Sequence, residues 1–168
     1  IAGMSRGRKI PLSASEGILD ADTLRLKGAH NVKNALAAFL AAREFGVRRE
    51  VAMREIRKFK GLPHRLEFVR KVRGVSFYND AGAVNIRAAI ASMDSFSENK
   101  IVLAGGKNKN LPLRLLARRL RKPDIKFAVL FGEMRRELAP LLKKEKMNNF
   151  AVRARMVDAV KWAAARAK

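Results

Sequence analysis

The chain has 168 residues, enough for one domain with a real core, and 48% of them are hydrophobic, which excludes a disordered tail. It holds no cysteine, which excludes disulfides and thiolate metal sites, and no apolar run in it reaches the length of a bilayer span. Thirty-seven lysines and arginines against fifteen acids give a net charge of +22, a bias toward nucleic acid, nucleotides, phosphorylated substrates or an anionic membrane surface.

The first stretch, residues 1–27, carries little periodicity and no secretory leader, and a start at Ile1 without an initiator methionine reads as a fragment or a processed product. Ile10 to Leu12 is expected to form a short strand, and Ile18 to Leu26 alternates in hydropathy. His30-Asn31 opens the first clear helix, with Asn31 as its N-cap and Val32, Ala35, Leu36, Phe39 and Leu40 at three-to-four spacing. Gly46 ends it. A second helix runs from about Arg49 to Phe59, with Val51, Ala52, Ile56 and Phe59 inward, and Gly61 and Pro63 stop it.

Leu66 to Val72 and Val75 to Tyr78 are apolar runs flanking Arg73-Gly74, the pattern of a β-hairpin. His64-Arg65 enters the first strand and Asn79-Asp80 leaves the second, so antiparallel pairing brings a cation, an imidazole and a carboxylate together. Asn85 is expected to cap a helix through about Met93. Beyond it, strands at 101–104, 127–131 and 150–152 alternate with helices at 113–120, 134–142 and 156–167. That alternation predicts an α/β fold, a parallel sheet with crossover helices. Ligands of such sheets sit beyond the carboxyl ends of the strands, where Asn79-Asp80, Gly105 to Asn110 and Gly132-Glu133 fall. Arg65, Asp80 and the turn after Ala104 are therefore expected to share one pocket.

Taken singly, these features also have plainer readings. The positive charge is spread along the chain, as solvated basic helix faces would spread it. Gly105-Gly106-Lys107-Asn108-Lys109-Asn110 suits an anion-binding turn but also an ordinary βα turn, and it matches neither a Walker A loop nor a dinucleotide fingerprint. His30 and His64 are the only histidines, and with no cysteine and no His-x-x-x-His spacing they do not read as a zinc site; His64 also suits a structural imidazole bonded into the hairpin loop. Asp80 suits a ribose contact, a cation contact or a turn cap, and Arg65 suits a bidentate phosphate contact.

Four motifs taken together, Gly28-Ala29-His30-Asn31-Val32-Lys33-Asn34, Gly61-Leu62-Pro63-His64-Arg65-Leu66-Glu67, Asn79-Asp80 to Asn85, and Gly105 to Lys109, resemble the Mur ligases, and most nearly the D-glutamate-adding members. The resemblance implies a Rossmann-like C-terminal domain, mostly parallel sheet with helices on both faces, preceded by an N-terminal helical pair. Residues 1–60 would be the end of a central ATP-binding domain with connecting helices, and residues 61–168 a truncated C-terminal domain. It implies a cytoplasmic enzyme of peptidoglycan synthesis, and so of cell-wall biogenesis, cell shape and division. ATP and Mg2+ would be its cofactors, UDP-N-acetylmuramoyl-L-alanine and D-glutamate its substrates, and the membrane no partner. Asn31 and Asn34 would lie near adenine, Arg65 would meet phosphate with His64 positioning it, and Asp80 would meet the ribose side. Lys109 and Asn85 would face D-glutamate. No catalytic residue and no metal ligand of the family is expected in this stretch, nor the upstream P-loop, so the chain alone is expected to be inactive.

The chain departs from the family pattern where that pattern reads Asn-Asp-Ser-Lys-Ala-Thr-Asn: Ala81 replaces the serine, Gly82 the lysine and Val84 the threonine. Each lost hydrogen bond to a charged ligand costs roughly 1.5–3 kcal/mol. On this reading, lysine at 82 and threonine at 84 should raise D-glutamate affinity. A basic nucleic-acid-binding module, or a non-catalytic module on the same fold, is the competing reading of the charge and the lost side chains.

Overall fold

The computed structural model describes residues 9–12, 17–107 and 110–167. The chain divides into two compact units, Ile1–Pro63 and His64–Lys168.

In the first unit a 3-10 turn, Ala21–Thr23, precedes α1 (Ala29–Glu44) and α2 (Arg49–Lys58). Leu36 and Phe39 of α1 pack with Ala52 and Met53 of α2 and with Leu19. Residues 10–12 form no strand; Leu12 lies in a 3-10 turn. Helix α1 starts before Asn31, because Gly28 at φ 96° turns the chain into the helix at Ala29. Asn31 is then inside the first turn, where its Nδ2 donates to the Lys27 carbonyl at 2.8 Å. Gly46 takes the left-handed conformation at φ 79°, as the sequence predicts. Phe59 falls one residue past α2 and is half exposed, while Met53 takes the inward place.

In the second unit β1 (Glu67–Val72) and β2 (Val75–Asn79) form the predicted hairpin. Arg73 and Gly74 both have positive φ, 49° and 84°, the signature of a two-residue turn whose twist matches its strands. Helix α3 (Ile86–Asp94) begins at Asn85, whose side chain accepts from Ala88 N–H at 2.8 Å. Then β3 (Lys100–Ala104), α4 (Leu113–Leu120), β4 (Ile125–Leu130), α5 (Arg135–Lys144), β5 (Phe150–Val152) and α6 (Met156–Ala164) alternate. The strands pair in parallel in the order β3-β4-β5.

Strand alternation sorts the side chains into two layers. Val102, Ala104, Ala128, Leu130 and Phe150 join a core with α3, α4 and α5. Ile101, Leu103, Val129, Phe131 and Ala151 pack against Ala159, Trp162 and Ala163 of α6 on the other face. Strand β4 lies between its two neighbours, which is why its apolar run is continuous rather than alternating.

An ion network ties the amino end of the sheet. Arg119 grips Asp124 through Nη1 at 3.0 Å and Nη2 at 2.7 Å, and reaches Asp94 through Nε at 2.7 Å. Lys100 Nζ meets the same Asp124 at 2.6 Å. The Arg119 hydrogen bonds, helped by Lys100, overcome the opposing effect of burial and hold the Asp124 carboxyl down at about 2.

Pro140 sits inside α5. It removes the N–H that would pair with the Arg136 carbonyl. Pro140→Ala should therefore raise unfolding free energy by about 1–3 kcal/mol, read as a higher urea midpoint at unchanged slope. An unchanged midpoint would mean that the helix has already relaxed around the ring.

Candidate functional site

The hairpin delivers its two ends to one place, because Glu67 pairs with Asn79 in register. The segment 64–66 and the segment 79–82 are then knotted by direct bonds. Leu66 N–H donates to Asp80 Oδ1 at 2.9 Å, and Gly82 N–H donates to the His64 carbonyl at 2.7 Å. Asn79 Nδ2 meets His64 Nδ1 at 2.8 Å, while Asn79 Oδ1 accepts from Ala81 N–H at 3.1 Å. With its oxygen committed to Ala81, the Asn79 amide presents its nitrogen to the ring. His64 Nδ1 must then accept, so the ring proton lies on Nε2. His64 N–H is held in turn by Glu67 Oε2 at 2.8 Å.

The knot is built on unusual backbone. His64 and Leu66 have φ of 61° and 49°, in the left-handed region that side-chain-bearing residues avoid. Such strain persists only where surrounding bonds over-determine it, and it concentrates at ligand sites. A Cβ built on Gly82 would stand 2.7 Å from the His64 carbonyl oxygen. The position that the resemblance assigns to lysine is thus filled by a main-chain oxygen.

Several groups at the knot stay unengaged. Arg65 is exposed and makes no ion pair or hydrogen bond among the described residues. Asp80 has one oxygen on Leu66 and the other without a partner among the described residues. Asn85 commits its Oδ1 to the α3 cap, which leaves its amide N–H groups.

A second cluster lies at the carboxyl ends of the parallel strands. Phe131 N–H donates to the Ala104 carbonyl at 3.0 Å and Met134 N–H to the Gly106 carbonyl at 2.9 Å. A Cβ on Gly105 would strike the Phe131 ring at 2.5 Å, and one on Gly132 would meet Gly106 N at 2.9 Å. These glycines let two βα turns press together, the plainer of the two uses their sequence allowed. Lys107 is exposed beside them, and Lys109, together with Asn108, lies outside the described residues. No hydrogen bond or ion pair joins this cluster to the 64–82 knot among the described residues. Asn31 and Asn34 belong to the first unit, where Asn34 Nδ2 donates to Asn31 Oδ1 at 3.4 Å and Asn31 is buried.

Two cations at the strand ends escaped the sequence reading. Arg135 donates to the Gly132 carbonyl. Arg153 follows β5, donates its N–H to the Leu130 carbonyl at 2.8 Å and lies over the Trp162 ring at 5.4 Å. The signal was available for Arg135, which follows the marked Gly132-Glu133 end, and for Arg153 the same strand-end rule extends to the run at 150–152. Among the described residues no three histidine or acidic side chains gather as a metal site, and no helix is long and apolar enough to cross a membrane.

Comparison with known proteins gives a consistent result. Residues 64–168 match the family described as "Mur ligase, glutamate ligase domain". The chain is 45% identical over 118 residues to the UDP-N-acetylmuramoylalanine–D-glutamate ligase of Bdellovibrio bacteriovorus, covering 68% of this chain and 25% of that protein. It is 40% identical over 134 residues to the enzyme of the same name from Pelotomaculum thermopropionicum, covering 80% of this chain and 29% of the relative. The chain thus spans between a quarter and a third of the length of these relatives. Among solved structures, folylpolyglutamate synthase of Mycobacterium tuberculosis, complexed with ADP and AMPPCP, superposes with a TM-score of 0.70 at 20% identity over 85% of this chain and 34% of that one. The UDP-N-acetylmuramate-alanine ligase of Thermotoga maritima does so with a TM-score of 0.62 at 16% identity, over 85% of this chain and 39% of the other. At those identities the likeness is one of fold.

Proposed function

Because this chain belongs to the Mur ligase family, with the family's glutamate ligase domain at residues 64–168, we propose that it serves an ATP-dependent ligase of peptidoglycan synthesis that adds D-glutamate to UDP-N-acetylmuramoyl-L-alanine. Residues 61–168 close over the nucleotide and the incoming amino acid, and residues 1–60 are the end of the central ATP-binding domain with its connecting helices. The reaction proceeds in the cytoplasm. The acceptor carboxylate takes the γ-phosphoryl group and ADP leaves; the D-glutamate amine then attacks the acyl carbon, the amide forms and phosphate departs.

The observation that carries this reading is the bonded convergence of 64–66 with 79–82. It holds Arg65, His64 and Asp80 beside one another with donor and acceptor capacity unspent. Arg65 supplies fixed charge for a phosphate, where a paired arginine would not. His64, its Nδ1 engaged by Asn79, keeps Nε2–H as a donor beside it. Asp80, with a free oxygen, accepts from a ribose hydroxyl. Asn31 and Asn34 contribute on the adenine side, and Asn85 and Lys109 on the D-glutamate side. The family's Mg2+ has no donor set among the described residues, so no step is assigned through it.

The 168 residues alone should give no ligation with ATP, UDP-N-acetylmuramoyl-L-alanine and D-glutamate, followed as D-glutamate-dependent phosphate release. Turnover above the enzyme-free rate would show that the machinery is complete here and would overturn the division of labour proposed.

A further inference from the structure

The β1–β2 ribbon has a composition that the ligase reading does not use. Every residue of β1 after Glu67 is exposed. Phe68, Val69 and Val72 show 55%, 50% and 43% of their surface to solvent, although all three are apolar. Between Phe68 and Tyr78 stand three cations, Arg70, Lys71 and Arg73, and no acid. None of the three has an ion pair among the described residues. The one acid of β1, Glu67, is already bonded to His64 N–H.

Register and ring contacts order these groups. Phe68 lies opposite Tyr78, and Lys71 opposite Ser76, on one face of the ribbon. Tyr78 packs edge-on against Phe96 at 4.7 Å, and Phe68 packs edge-on against Tyr78 at 5.5 Å. The result is a short line of aromatic rings, braced at Phe96 and open at Phe68. It runs toward Lys71 and the Arg73 turn, with Arg70 on the opposite face.

Charge selects the occupant. A second copy would bring another +22 and another unpaired basic ribbon, so like charges oppose self-association here. An anionic partner removes that opposition. A braced, exposed ring beside unpaired cations on an extended strand suits a ligand that alternates flat π-faces with phosphates. We propose that the β1–β2 ribbon is a binding arm for single-stranded nucleic acid, with Phe68 stacking on a base and Lys71 and Arg73 meeting phosphates.

The test is fluorescence anisotropy of the full 168-residue chain with labelled twelve-nucleotide oligo-dT and oligo-U across a salt series. Replacing Lys71 and Arg73 together by Gln should weaken binding and flatten the log–log salt slope by about 1.4, for two phosphates at roughly 0.7 each. A matched variant with Arg114 and Lys143 replaced by Gln removes the same charge from exposed helix sites and should keep most of the affinity. Phe68→Leu, which keeps an apolar side chain but no ring, should cost about tenfold. Equal losses in the two double variants would mean diffuse charge and no arm, and would overturn the proposal. So would an unchanged affinity in Phe68→Leu, tighter binding to a duplex of equal length, or equal competition by polyglutamate, which would mark an acidic-peptide surface.

Discussion

Gly82→Ala should lower the unfolding free energy by about 1–3 kcal/mol, a large cost for one methyl group in an exposed loop. The added carbon would sit 2.7 Å from the His64 carbonyl oxygen, inside any normal contact. That oxygen cannot simply retreat. It accepts the Gly82 N–H at 2.7 Å, and the residue carrying it is pinned by Glu67 at its N–H and by Asn79 at its ring. Gly82→Lys must meet the same obstacle before its ammonium reaches anything. It should therefore destabilise at least as much, and should leave D-glutamate affinity unimproved in a longer chain that carries it. This reverses the expectation drawn from sequence, in which lysine at 82 simply restores a lost cation. Urea midpoints at constant slope check the first statement, and the KM for D-glutamate checks the second. A Gly82→Lys protein as stable as its parent, with a lowered KM, would show that the knot opens freely.

Asp124→Asn should cost about 2–3 kcal/mol at neutral pH. It removes the carboxylate that neutralises Arg119 and Lys100, whose side chains are only 11% and 13% exposed, and leaves them near each other with Asp94 alone as counter-charge. The pH dependence follows from the lowered carboxyl. Held at about 2 in the folded chain against an ordinary 3.8, Asp124 contributes its full stabilisation above 3.8 and loses it as the pH falls toward 2. The contribution is on the order of 1–2 kcal/mol once the partial exposure of the carboxylate is allowed for. Thermal unfolding between pH 4 and pH 2 should accordingly fall less steeply in Asp124→Asn than in the parent. Parallel curves would mean that other carboxylates govern the acid limb.

Much of the second unit was legible because its signals were redundant. The apolar run of β4, the Arg73-Gly74 turn and the Asn85 cap each had one physical reading, and each element formed within a residue or two of its expected place. Asn31 misled because an asparagine before an apolar stripe resembles a cap. The chain instead turned at Gly28, whose φ of 96° no periodicity argument registers. Ile10 to Leu12 misled because so short a stretch has no partner strand among the described residues to confirm it.

The candidate site was legible as a list of residues but not as an arrangement. Pairing 64–66 with 79–82 followed from the hairpin, yet the left-handed backbone at His64 and Leu66 did not, since neither residue type favours it. Gly82 was read as a lysine lost. Its close approach to the His64 carbonyl is a distance between segments, and no local pattern encodes one. The ion network was invisible for the same reason, because Asp94, Lys100, Arg119 and Asp124 meet only after the sheet has formed.

The central claim is that Arg65, held beside Asp80 by the hairpin ends, meets the nucleotide of a D-glutamate-adding ligase. The direct test is a chimera in which residues 64–168 replace only the matching residues of the Bdellovibrio bacteriovorus relative, whose remaining residues are all kept, assayed by D-glutamate-dependent phosphate release. Ligation should persist with a raised KM for D-glutamate, and Arg65→Ala should reduce kcat/KM by about a hundredfold, as the loss of one charge-stabilising contact in a transition state does. A chimera with no D-glutamate-dependent turnover, or one indifferent to Arg65→Ala, would contradict the account.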